Sequence, residues 1–109
     1  MAMKTPKVLQ QIAGIAKILF IEADQNYSVF HLSNGRRLVS GYTLKFHVQY
    51  LDEQQFFRMN RSLLVSWEFV SEVNFLKDNG IAVLKNDRRI RIPRRRLKAF
   101  QKEYNGKTN

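Results

Sequence analysis

Two Asn-Gly dipeptides, Asn34-Gly35 and Asn79-Gly80, each separate short runs rich in β-branched and aromatic residues, and this punctuation commits much of the chain to tight antiparallel hairpins. Asn-Gly accepts the positive φ angles of a type I′ turn, whose twist matches that of the strands it joins. Residues 27–32 and 37–40 therefore read as the arms of one hairpin. Residues 70–76 and 81–84 read as the arms of another, with Val73 and Phe75 on one face and Glu72 and Asn74 on the other. A further turn at Lys85-Asn86-Asp87-Arg88 leads into Arg89-Ile90-Arg91-Ile92, where the isoleucines face inward and the arginines outward. Pro93 lacks a backbone donor and ends that strand.

The rest of the chain follows the same grammar. Ile18-Leu19-Phe20-Ile21 reads as a buried strand followed by a polar loop, Glu22-Ala23-Asp24-Gln25-Asn26. Phe56-Phe57-Arg58-Met59 and Leu63-Leu64-Val65 read as strands on either side of a polar, cationic tip, Asn60-Arg61-Ser62. The period changes twice. Leu44, Val48 and Leu51 predict one helix with Thr43 as its N-cap, and Leu97, Phe100 and Tyr104 predict a short terminal one. The expected fold is mainly β: small antiparallel sheets with one or two short helices, organised as an N-terminal segment 1–11, one domain over 12–104 and a frayed tail 105–109.

Composition narrows the function. Eight Phe, four Tyr and one Trp in 109 residues are enough for one packed core. With no cysteine there is no disulfide framework and no thiolate site, and the cytoplasm is the expected location. The longest apolar stretch, 12–21, is broken by Lys17 and is too short to span a membrane, and Gln10, Gln11 and Lys17 spoil it as a signal peptide. His31 and His47 have no partner at metal-ligand spacing. No nucleophile elbow or Gly-rich phosphate loop occurs, and Glu22 with Asp24 reads as a pair of solvated turn residues. Neither an enzyme, a cofactor nor a metal is expected.

Charge supplies the positive indication. Residues 86–109 hold nine of the 19 Lys and Arg against two of the nine acids, and so carry +7 of the net +10. Such a polarised field attracts polyanions, nucleic acid first and anionic lipid or an acidic protein second. Arg94-Arg95-Arg96 after Pro93 offers guanidinium groups suited to phosphate or to guanine edges. Arg61, flanked by Asn60 and Ser62, is a second cationic point with an amide suited to adenine, and Asn26 is a third polar tip.

From Ile18 to Phe100 the order of features resembles the LytTR family of bacterial DNA-binding domains. Three segments carry the resemblance: Leu19-Phe20-Ile21-Glu22-Ala23-Asp24-Gln25-Asn26-Tyr27, Phe57-Arg58-Met59-Asn60-Arg61-Ser62-Leu63-Leu64-Val65-Ser66, and Ile90-Arg91-Ile92-Pro93-Arg94-Arg95-Arg96. It implies an elongated arrangement of small sheets whose loops enter successive major grooves of double-stranded DNA. It also implies base contacts from Asn26, Asn60, Arg61 and Arg95, with Arg94, Arg96 and Lys98 at phosphates. The family's use of paired short repeats implies two copies on DNA, as a homodimer or as neighbours. The chain departs from the family pattern at Asn60, Ser66 and Pro93, where His, Asn and Ser are usual, so no target sequence transfers. No receiver domain fits in the first 17 residues; the expected controls are abundance, oligomerisation, or an inhibitor or sensor protein. The competing expectation, resting on charge alone, is an RNA- or ribosome-associated module.

Overall fold

The segment Leu63–Ser66 is buried at all four positions, as a strand covered on both faces must be. In the computed structural model, which describes residues 6–107, it is β5 of an antiparallel five-stranded sheet. The other members are β1 (Ile18–Asp24), β2 (Tyr27–Leu32), β3 (Arg37–Ser40) and β4 (Phe56–Asn60), in the order β3-β2-β1-β5-β4. A second, three-stranded sheet consists of β6 (Val70–Phe75), β7 (Gly80–Leu84) and β8 (Arg89–Ile92). Three α-helices complete the described residues: α1 (Lys7–Ile12), α2 (Leu44–Val48) and α3 (Arg94–Lys107), together with a 3₁₀ turn at Trp67–Phe69.

Strand alternation divides the large sheet between two cores. Ile21, Phe30, Leu32 and Leu64 pack with Ile12 and Leu44, beneath α1 and α2. Phe20, Met59, Leu63 and Val65 pack on the opposite side with Ala82, Leu84, Ile90 and Ile92 of the small sheet and Phe100 of α3. Phe100 is fully buried, its ring centroid 5.1 Å from Phe57 and 5.0 Å from Trp67. Burial of such a ring contributes about 2–3 kcal/mol, which anchors α3 to both sheets. An ion pair adds a surface link: Arg88 Nη1 donates to Glu22 Oε2 at 2.9 Å, and the guanidinium lies 5.9 Å from the Phe20 ring centroid. Glu22 also lies 3.1 Å from His31 Nε2.

Several boundaries differ from the sequence expectation. β1 runs through Asp24, so Glu22 belongs to a strand and is ion-paired; the turn before Tyr27 is only Gln25-Asn26. The first central position of that turn needs a positive φ, and Gln25 adopts one, +55°. Helix α2 has the expected cap, Thr43 Oγ1 accepting the Phe46 N–H at 3.2 Å, but it is shorter than the apolar spacing predicts. Helix α1 has no expected counterpart. Helix α3 begins directly after Pro93 and continues to Lys107, through much of the expected tail; residues 1–5 and 108–109 of the expected terminal segments lie outside the described residues.

Neither Asn-Gly pair forms a type I′ turn. At Asn34-Gly35 only the glycine has positive φ, +84°, and the Gly35 N–H donates to Leu32 O at 3.0 Å. This is a turn closed by one left-handed residue, a bulge that suits glycine. The same construction recurs at residues 84–88, with Asp87 at φ +68° in the glycine's place and Asn86 Oδ1 accepting the Arg88 N–H, as Asn34 Oδ1 accepts that of Arg36. Gly80 instead opens β7, opposite Phe75. Its lack of a side chain answers a close approach: a Cβ there would stand 3.0 Å from Leu97 Cδ1 of α3.

Two outcomes follow for stability. Asp87→Gly removes left-handed strain and should stabilise the fold by about 0.5–1 kcal/mol, read as a raised melting temperature, whereas Gly35→Ala should lower it by a comparable amount. His47 is fully buried with Nε2 2.7 Å from Ser40 Oγ, and burial pushes its pKa below the ordinary value of 6.5. Burial also lowers that of His31, against the opposing charge of Glu22. Below about pH 6.5 the unfolded chain therefore binds more protons than the folded one. Stability should be complete above that pH and fall as pH drops from 7 towards 5, and thermal unfolding of His47→Gln should show a shallower decline.

Candidate nucleic-acid interface

The hairpin turn Gln25-Asn26 closes β1 and β2 at the end of the large sheet where the turn Arg61-Ser62 closes β4 and β5. The antiparallel pairing of β1 with β5, with Glu22 opposite Leu63, makes this unavoidable. The two turns are joined directly, since the Ala23 N–H donates to Ser62 O at 2.8 Å. Asn26 and Arg61 are exposed, and Asn60 is half-buried. Asn60 Oδ1 accepts the Ser62 N–H at 2.8 Å, so this amide is folded back on its own turn and Nδ2 is its uncommitted donor. That arrangement differs from the free amide the sequence suggests for reading adenine with donor and acceptor together.

The first turn of α3 contributes the third element. Pro93 precedes the helix, where a missing N–H is harmless, and Arg94, Arg95 and Arg96 occupy its opening residues with no acidic residue among them. Cations at the positive end of a helix dipole are unfavourable, by roughly 0.3–1 kcal/mol each when exposed. Arg94, Arg95 and Lys98 are exposed; Arg96 is half-buried and its Nη1 donates to Arg58 O at 3.4 Å. Leu97 over Gly80 and Phe100 in the core hold the helix against this electrostatic cost.

Arg58 is the group that sequence reading passed over. It stands in β4 between Phe57 and Met59, half-buried, and its Nη2 donates to Arg61 O at 2.7 Å while Nε reaches Asn60 O at 3.4 Å. Its signals in the sequence are a lone charge inside an apolar run and a place in the second segment of the resemblance, which gave it no role. The structure thus brings Asn60, Arg61 and the Arg94–Arg96 segment together through Arg58 and Arg96, and sets Asn26 on the adjoining turn. Such an edge can accept phosphate oxygens from several guanidinium groups and present amide and guanidinium donors to base edges. Among the described residues no group of His, Asp and Glu is placed to hold a metal, and no helix is long and apolar enough to cross a membrane.

Comparisons with known proteins bear on the fold and the family. The structure superposes on the LytTr DNA-binding domain of a Bacillus cereus protein described as a methyl-accepting/DNA response regulator, with a TM-score of 0.70, 17% identity and 81% of each chain covered. No match is found among curated protein sequences. The family model for the LytTr DNA-binding domain matches residues 12–105. With that match spanning most of its length, the chain belongs to the LytTR family of DNA-binding domains.

Proposed function

We propose that the protein is a sequence-specific regulator of transcription in the bacterial cytoplasm, which binds double-stranded DNA by inserting the loops of this edge into successive major grooves. The observation that carries the reading is the convergence of three polar, cationic segments, far apart in sequence, on one edge of a protein of the LytTR family. Asn26, Asn60, Arg61 and Arg95 are assigned to base edges, and Arg94, Arg96 and Lys98 to phosphates. The molecule measures 41 Å in its longest dimension, about one turn of duplex at roughly 34 Å, so paired short repeats call for two copies side by side.

Selection of a random duplex library on the purified protein at near-physiological salt tests this directly. An enriched motif, and above all a spaced pair of short repeats, is the expected result. Preferential retention of single-stranded RNA at equal salt would instead favour an RNA-associated module. With the site in hand, Arg61→Ala and Arg95→Ala should each cost about 1–3 kcal/mol on the specific duplex and narrow its advantage over random DNA. Lys98→Ala should weaken specific and random duplexes alike. Unchanged discrimination in the two arginine variants would sink the assignment of base contacts.

A further inference from the structure

We propose that Arg58 and Arg96 form a seat for one backbone phosphate beside Arg61, with Arg58 also holding the 60–62 turn in shape. The inference rests on the duplex-binding reading above and adds to it a defined ligand group and a residue that the family resemblance does not assign.

The seat is built from both sides. From the protein side, the Arg58 guanidinium gathers the carbonyls of Arg61 at 2.7 Å and Asn60 at 3.4 Å, while the Asn60 side chain holds the Ser62 N–H at 2.8 Å. A turn whose carbonyls and amide are all engaged cannot swing freely, so the Arg61 side chain starts from a fixed base. From above, Arg96 reaches the Arg58 carbonyl at 3.4 Å, which sets the first turn of α3 over β4. The Arg96 Nε is buried and has no hydrogen-bond partner among the described residues. A buried N–H donor left unused calls for an acceptor oxygen, and the Arg58 guanidinium is near enough to feel the charge of Arg96.

Charge selects the kind of oxygen. None of the three arginines is in an ion pair among the described residues; the ion pairs there are those of Lys17 with Glu68 and Arg88 with Glu22. The pKa of Arg58 is pushed below its ordinary value, first by burial and then by the cationic Arg96 and Arg61, with no carboxylate acting the other way. Three like charges brought together, two of them half-buried, repel one another until an anion enters. A phosphodiester suits such a group of cations: it carries one negative charge on two free oxygens, and planar guanidinium groups bind such oxygens in pairs. The chain places this seat beside Arg61, so a phosphate held there would fix the depth and register at which the 60–62 turn meets the groove.

The test uses the full chain and two probes. Inorganic phosphate is titrated at constant ionic strength, with chloride as the control, while the arginine Nε–Hε signals are followed by NMR. A saturable shift at Arg58 and Arg96 is expected, absent in Arg58→Gln and Arg96→Gln and retained in Lys45→Ala on the exposed side of α2. Duplex affinity is then measured against salt, and the slope of log affinity on log salt should fall by about one unit in Arg58→Gln and Arg96→Gln. Arg58→Lys keeps the charge and loses the planar fork; it should retain most of the slope but discriminate poorly between specific and random duplex. Circular dichroism reports folding, and if Arg58→Gln does not fold, Arg58→Lys and Arg96→Gln carry the test. A phosphate response no different from chloride, with unchanged salt slopes, overturns the seat while duplex binding stands. A saturable phosphate response in a protein with no affinity for duplex keeps the seat and overturns the duplex reading.

Discussion

The pairing of β1 with β5 is the constraint on which the rest of the structure depends. The two strands are some forty residues apart in sequence, and their register sets Phe20 opposite Val65 and Ile21 opposite Leu64. From Phe20 to Ile21 in one strand and from Leu63 to Val65 in the other, successive side chains alternate between the core under the small sheet and the core under α1 and α2. A slip of one residue would exchange the two sets and leave each core with side chains shaped for the other. The same register lays Ala23 beside Ser62. Hydrophobic selection in the middle of the sheet thus decides which turns meet at its end.

That end is where the structure is least self-consistent electrostatically. Three arginines begin a helix, a fourth is half-buried behind them, and acidic partners are missing from their ion pairs among the described residues. Glu22 carries the long-range ion pair of the opposite kind: it accepts from Arg88 with His31 Nε2 close by, tying the turn of the small sheet to the face of the large one. Packing supplies the compensation, since Leu97 lies close over Gly80 and Phe100 is enclosed by Phe57, Trp67 and Phe75.

Local conformation follows a related pattern. Positive φ occurs at Gly35 and Asp87 in two turns of the same construction, and at Gln25 in the two-residue turn between β1 and β2. Glycine is free in that region, but Gln25 is strained, and it sits next to Asn26. A rigid hairpin on either side holds Gln25 in place. The exposed amide of Asn26 is therefore presented from a short, closed turn and not from the longer loop that the polar composition of residues 22–26 implies.

Alternation of apolar and polar residues, turn chemistry and Pro93 were enough to determine that the chain forms antiparallel hairpins. The strands at 27–32, 37–40 and 89–92 and the Thr43 cap stand where those local signals place them. Net charge and the three polar tips likewise indicated a polyanion partner and the residues to watch. Only the tertiary structure decided which hairpins share a sheet, that Gly80 serves helix packing and not a turn, that α3 starts at Arg94, and that Arg58 joins the 60–62 turn to the start of α3. The physical reason is range. Backbone preference and side-chain alternation act over a few residues and are written locally. Burial, close approach and the gathering of like charges depend on partners dozens of residues away, and these exist only once β1 has found β5.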